Sequence, residues 1–248
     1  MMKLIHIEWM KLKRLNTMKV ILLIYAMLVP TIFLCFSLIE IAGWKFPETI
    51  YSFPEVYHYV TYVSSWFNLM IGVIIIVFTT NELKYRTQRQ NVIDGLSKKE
   101  IIMSKFYVVL LLSIVITLYT FLVAFIFGVI NGSMGDLFDG LHYIGVYFIS
   151  TLGYFVFAYF FANLIKLPAL AIIFYLLSTF LEGIFGFISV KQYVQFFPLS
   201  TFSDLIPPPI LPQGVDFIWG QGGRTAVAVV YILIFVATSY FVIRKRDI

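Results

Sequence analysis

Six long apolar runs divide the chain, and each is long enough to cross a bilayer as a helix. Such a helix needs about 20 mostly apolar residues to span roughly 30 Å of hydrocarbon. No run contains a lysine, and the single arginine, Arg224, stands at a boundary. The pattern predicts an all-α integral membrane protein, with one transmembrane domain over residues 1–248. The six predicted transmembrane helices are Val20–Ala42, Val60–Thr80, Phe106–Ile130, His142–Ile165, Pro168–Ser189 and Arg224–Ile243.

Composition supports this assignment. Hydrophobic residues make up 60% of the chain and charged residues 12%, whereas soluble domains average about 45–50% and about 25%. A soluble single domain could not bury so much apolar surface, and disorder requires the opposite composition. The only cysteine, Cys35, excludes an internal disulfide and zinc sites built from paired cysteines.

The basic residues are concentrated on one side of the predicted membrane. Fifteen of the 18 lysines and arginines lie before the first span, between spans two and three, after span four or after span six. Because cytoplasmic loops carry such an excess, both termini are predicted to be cytoplasmic. The cations stand beside apolar runs, which favours contact with lipid headgroups and gives no reason to expect nucleic acid as a partner.

The first 19 residues, 1–19, have the pattern of an amphipathic helix lying on the membrane surface. Glu8 interrupts the pattern because it projects from the apolar side. It either pairs locally with Lys11 or contacts another cytoplasmic element of the same protein. The apolar side carries Leu4, Ile5, Trp9, Leu12 and Leu15, and the polar side carries Lys3, His6, Lys13 and Arg14.

The segment 81–105 is predicted to form a two-helix hairpin in the cytoplasm. Asp94-Gly95 is a turn signal, and Ser97 followed by Glu100 fits a capping box that begins a helix. The tip carries Val92, Ile93 and Leu96. Either the hairpin is solvated and held by anionic headgroups, or its apolar tip docks on a protein partner.

The segment 190–223, between spans five and six, is predicted to lie outside the cell. It is rich in both proline and large apolar residues. Short helices that dip back into the outer leaflet would bury such a loop. Glu182, in the outer third of span five beside Gly183 and Gly186, either marks a helix break that leaves it wet or lines a translocation path.

The sequence offers little chemistry. It contains no phosphate-binding P-loop, no H-E-x-x-H and no G-x-S-x-G. His58 and His142 stand at outer span ends with acids nearby, so either they are interfacial anchors or they take part in a metal site. No nucleophile, base and orienting group cluster at one depth, so we expect no catalysis and no metal in this chain.

The layout resembles the permease subunits of type-2 ABC transporters, of the bacteriocin-immunity or antibiotic-exporter kind. Residues 8–14 are similar to the family's E-x-x-K-x-x-R opening. Residues 82–87 are similar to the acidic residue and Gly-Thr that follow span two, although Arg86 stands where glycine is common. Residues 97–100 and Lys105 are similar to the run that leads into span three, although Gly95 stands near the usual proline.

The resemblance implies a half-transporter of a bacterial cytoplasmic membrane. Two six-span subunits, from a second copy or a paralogue, would pair around a central path, each resting on a separate ATP-binding subunit. ATP and Mg²⁺ would be bound by that partner, so no cofactor is expected in this chain. The hairpin would be the coupling element, with an interface of Glu82, Arg86, Thr87, Val92, Ile93, Asp94, Gly95, Leu96, Ser97 and Lys98.

Export of amphipathic or lipophilic cargo, such as peptides, antibiotics or lipids, is the function that the resemblance implies. Two alternatives are a channel or secondary transporter that works without ATP, and a polytopic membrane enzyme or assembly factor. The first alternative would need more polar residues at mid-membrane, and the second would need ionisable residues clustered at one depth.

Overall fold

The computed structural model describes residues 8, 10–36, 40–41, 44–45, 48–84, 97–131, 136–188, 191–209 and 218–245. These residues form a bundle of long apolar helices. The helices are α1 (Asn16–Cys35), α2 (Glu55–Ser65), α3 (Asn68–Lys84), α4 (Lys98–Asn131), α5 (Leu141–Leu164), α6 (Pro168–Ile188), α7 (Lys191–Val194), α8 (Pro198–Ser203) and α9 (Gly220–Arg244).

Five of the described helices are long and apolar enough to cross a membrane, and there are six such spans if the bent pair α2–α3 is counted as one span. Helices α4, α5, α6 and α9 coincide with predicted spans three to six. The described segments are thus consistent with the predicted number of spans. Their mostly apolar sequences predict helices in lipid because a helix satisfies every backbone hydrogen bond within one segment.

Two predicted boundaries are wrong. The first helix runs from Asn16 to Cys35 and ends well before Ala42. Beyond it, Glu40–Ile41 (β1) pairs antiparallel with Trp44–Lys45 (β2). Apolar residues continue beyond Cys35, so hydrophobic length alone did not reveal where α1 ends. A two-residue connection that contains glycine favours a hairpin over continued helix.

The second span is broken rather than continuous. It begins at Glu55 and not at Val60, and the axes of its two halves differ by 48°. Two backbone bonds at the break join residues three apart: Trp66 N–H to Val63 O at 3.3 Å and Phe67 N–H to Ser64 O at 3.1 Å. Sharp helix kinks occur at serine pairs as well as at proline, and Ser64-Ser65 precedes this one.

Helix α5 is the centre of the bundle and contacts α2, α3, α4, α6, α8 and α9. Small residues on its buried face permit this close packing. At Gly153, an added Cβ would lie 2.5 Å from the ring of Phe202 on α8. By contrast, α6 is mostly exposed along its span, and its outward side chains are those that lipid or a second subunit could cover.

The bundle has two ends, which we name by their connections. The hairpin end carries Glu82 at the end of α3 and Ser97 before α4. The loop end carries α7 and α8, which pack on α5, α6 and α9. Short helices were predicted in the segment 190–223, and α7 and α8 are two of them. Their depth in a bilayer stays a prediction, and residues 210–217 lie outside the described part.

Candidate functional site

Four charged side chains meet at the hairpin end and form what we call the four-charge cluster: Glu8, Lys11, Glu82 and Lys105. Lys11 Nζ lies 2.8 Å from Glu8 Oε1 and 3.1 Å from Glu82 Oε1. Lys105 Nζ lies 2.6 Å from Glu82 Oε2 and 3.7 Å from Glu8 Oε2. Each acid therefore faces both bases.

The four-charge cluster is mostly removed from solvent. The exposed fraction of the side chain is 1% for Lys105, 7% for Glu8, 8% for Glu82 and 35% for Lys11. Lys105 Nζ also lies 4.8 Å from the centroid of the Phe78 ring, a favourable cation–π distance. Buried ions are tolerated when they are paired, so each member depends on the others.

Lys11 is the member at the edge of the four-charge cluster. Burial lowers the pKa of Lys11, but the hydrogen bond and charge of Glu8 and those of Glu82 outweigh it, so the pKa is raised above its ordinary value. Lys11 is therefore fully charged at neutral pH. Its positive charge offsets the negative charges of Glu8 and Glu82, whose carboxylate oxygens lie 2.8 and 3.1 Å from Lys11 Nζ.

The four-charge cluster fastens three separate parts of the chain together. Glu8 and Lys11 come from the N-terminal segment, Glu82 from the end of α3, and Lys105 from the first turns of α4. Both alternatives for Glu8 are thus realised, since it pairs with Lys11 locally and with Lys105 across the fold. Lys11 and Lys105 were not among the predicted site residues, although the E-x-x-K spacing and the basic residue before span three were available signals.

Three of the predicted coupling residues, Glu82, Ser97 and Lys98, lie in the described part of the chain. Glu82 is buried against the chain's own lysines, so its carboxylate does not form part of an exposed docking surface. Ser97 is exposed, and Lys98 begins α4. The remaining predicted residues lie outside the described part: Arg86, Thr87, Val92, Ile93, Asp94, Gly95 and Leu96.

The capping box at the start of α4 is confirmed. Glu100 Oε2 accepts hydrogen bonds from the backbone N–H and hydroxyl of Ser97, at 2.9 and 2.7 Å. The backbone N–H of Glu100 donates to Ser97 Oγ at 3.2 Å. Reciprocal bonds of this kind satisfy donors that a helix start leaves free, and they fix where α4 begins.

Glu182 does not mark a helix break, because α6 continues through it to Ile188. Its carboxylate instead accepts hydrogen bonds at the start of α8. Leu199 N–H donates at 3.1 Å, and the N–H and hydroxyl of Ser200 donate at 2.8 and 3.0 Å. An acid at a helix N-terminus satisfies free donors and favours the helix dipole, so Glu182 ties α8 to α6.

A buried polar cluster at the break in span two was not expected from the sequence. Asn68 Oδ1 accepts hydrogen bonds from Tyr147 and Thr151, each at 3.3 Å. Tyr25 Oη lies 2.6 Å from Thr120 Oγ1 and 3.2 Å from Tyr147 Oη. Because these residues are far apart in sequence, only an asparagine inside a predicted span could have signalled the cluster.

His58 is bound at the loop end within the protein itself. Its Nε2 lies 2.8 Å from the carbonyl oxygen of Pro207, and its ring stacks on Tyr143 with the centroids 4.2 Å apart. Among the described residues, no group of three or more His, Cys, Asp or Glu side chains could hold a metal ion. The His58 ring therefore joins span two to the segment after α8.

A comparison with known protein families identifies the family to which this chain belongs. The model of the ABC-2 family transporter proteins matches residues 4–189, a range that includes all four members of the four-charge cluster and the first five spans. No curated protein matches the chain. Since the match covers most of the chain and the described helices provide five or six candidate spans, this chain belongs to the ABC-2 transporter family and is a multi-pass permease subunit of the type-2 ABC kind.

Proposed function

We propose that this chain is the permease half of an ATP-driven exporter in a bacterial cytoplasmic membrane, with both termini in the cytoplasm. A separate ABC subunit binds ATP and Mg²⁺ and contacts the hairpin 81–105. A second permease, either a copy or a paralogue, completes the path. The cargo is amphipathic or lipophilic, since the described helices are dominated by apolar and aromatic side chains.

The four-charge cluster is the observation that carries this proposal. It joins Glu82 near the end of α3 to Lys105 near the start of α4, and these residues stand near the two ends of the segment 81–105 that is predicted to form the hairpin. A force applied to the hairpin would therefore reach α3, α4 and the N-terminal segment together. Because separating a buried ion pair is costly, the cluster joins these parts stiffly enough to transmit a displacement.

A secondary transporter that works without ATP is the second candidate. The observation that favours it is the buried polar cluster around Asn68, since polar side chains inside a span often mark a transport path. The two candidates differ in their energy source. An exporter of the first kind moves cargo only with the ATP-binding subunit, and the second moves cargo without it.

The test is reconstitution of the permease with a candidate ABC ATP-binding protein from the same organism. We expect co-purification, vanadate-sensitive ATP hydrolysis that needs both proteins, and ATP-dependent efflux of a lipophilic dye from vesicles. Charge reversal of Arg86, or deletion of residues 92–96, should uncouple hydrolysis from efflux. Unchanged efflux in both variants would contradict the coupling assignment, and efflux without the ATP-binding protein would favour the second candidate.

A sharper variant addresses the four-charge cluster itself. Lys105→Met should retain binding of the ATP-binding subunit but lose most efflux, because the hairpin is then attached by fewer contacts. The swapped pair Glu82→Lys with Lys105→Glu should recover part of the efflux. Lys166→Met is the matched control, since Lys166 is exposed and outside the cluster, and it should behave as wild type.

A further inference from the structure

Polar side chains from five helices surround the point where span two bends. Ser64 precedes the break on α2 and Asn68 follows it at the start of α3. Each of these polar side chains is at most 1% exposed. The sequence has no proline between residues 55 and 84, so proline does not cause the bend. The remaining polar side chains around the break are Tyr25 on α1, Thr120 on α4, and Tyr147 and Thr151 on α5.

The donors and acceptors in this cluster do not balance. Thr120 donates its proton to the carbonyl of Ile116 at 3.0 Å, so it accepts from Tyr25. Asn68 Oδ1 accepts from both Tyr147 and Thr151. Among the described residues, none gives Asn68 Nδ2 or Ser64 Oγ a partner with hydrogen-bond geometry.

The unpaired amide atom is Nδ2, because Oδ1 already accepts from the hydroxyls of Tyr147 and Thr151. Nδ2 lacks a partner among the described residues while its residue is fully buried. An unsatisfied amide is especially unfavourable inside a bilayer, where lipid offers no hydrogen bonds.

We propose that the break in span two binds one ordered water molecule, held between Asn68 and Ser64. The site is polar enough, because the Ser64 hydroxyl also lies beside the hydroxyls of Tyr25 and Tyr147. A buried water commonly makes about three hydrogen bonds. It would accept from Asn68 Nδ2, bond with Ser64 Oγ, and bond with a tyrosine hydroxyl.

The bound water would explain how the span can be broken and yet buried. The backbone N–H groups of Trp66 and Phe67 donate to carbonyl oxygens three residues back instead of four. The regular series of α-helical hydrogen bonds is therefore interrupted at the break. A water can exchange its partners more readily than a fixed side chain can. A water at the break would thus keep the polar groups there satisfied if the angle between α2 and α3 changed.

Radiolytic footprinting of the full chain in lipid nanodiscs tests this proposal. X-ray pulses generate hydroxyl radicals from bound water, and these radicals oxidise the aromatic side chains beside it. Tyr25 and Tyr147 should gain oxygen rapidly even though they are buried. Tyr175, which is also fully buried and lies outside the cluster, should not. Equal rates at all three tyrosines would overturn the proposal.

Two variants assign the water to its proposed partners. Asn68→Leu and Ser64→Ala should each abolish most of the oxidation at Tyr147. Ser113→Ala is the matched control for the serine variant, since Ser113 is 0% exposed and its hydroxyl donates to the Val109 carbonyl of its own helix. It should leave oxidation unchanged. If Asn68→Leu does not fold, Ser64→Ala decides alone, and persistent oxidation in that variant would refute the assignment.

Discussion

Removing the negative charge of Glu82 should strongly destabilise the permease. In Glu82→Gln, the acid that still faces Lys105 among the described residues is Glu8, at 3.7 Å, while the Lys105 side chain is 1% exposed. Leaving one ion of a buried pair uncompensated costs about 3–5 kcal/mol. For a chain of this size each kcal/mol shifts the melting temperature by about 2–4 °C, so we expect a decrease of roughly 6–20 °C.

The assay is thermal melting of the purified permease in one detergent, followed by the fraction that remains monodisperse. Glu55→Gln is the matched control, because Glu55 is exposed and a surface charge contributes only about 0–1 kcal/mol. The double variant Glu82→Leu with Lys105→Met removes both charges and should cost less than the two single changes added together. A melting temperature near wild type for Glu82→Gln, or strictly additive losses, would refute the idea of a mutually dependent cluster.

Three further predictions concern other contacts of the fold. Gly153→Ala should lower stability by about 1–3 kcal/mol because its Cβ meets an aromatic ring, whereas Gly145→Ala, on the same helix with open space around it, should not; melting of both variants checks this. Glu182→Ala should make the amides at the start of α8 exchange about ten- to a hundredfold faster, because hydrogen bonds to a charged group contribute about 1.5–3 kcal/mol, and unchanged exchange by mass spectrometry would contradict the capping role. The raised pKa of Lys11 means that its contribution to stability is complete at neutral pH and is lost as pH rises above about 10.5; melting from pH 8 to 11.5 should show this loss in wild type but not in Lys11→Met.

Much of the bundle was predictable because membrane insertion leaves a local record. Uninterrupted apolar length indicated the spans, as the match of α6 to the predicted Pro168–Ser189 illustrates. The capping box at Ser97 was also visible, since both partners lie within one helical turn. The end of α1 and the break in span two were missed, because serine, tryptophan and phenylalanine are all acceptable within an apolar helix.

The candidate site was only partly predictable. Glu82 was identified by its place after span two, but it was expected on a docking surface. The structure shows it buried among the chain's own lysines. Similarly, Glu182 was identified as an unusual acid within a span, yet its partners at the start of α8 follow only from how the helices pack.

The sequence by itself determined the class of protein, the apolar runs that could span a membrane, the predicted sidedness and the resemblance to a transporter family. These depend on hydrophobic length, charge distribution and short motifs, which are properties of neighbouring residues. Only the tertiary structure decided which charges meet. Lys11 and Glu82 are 71 residues apart, and Tyr25 and Tyr147 are 122 apart. Whether a polar group in lipid is satisfied depends on such distant partners, and no local pattern specifies them.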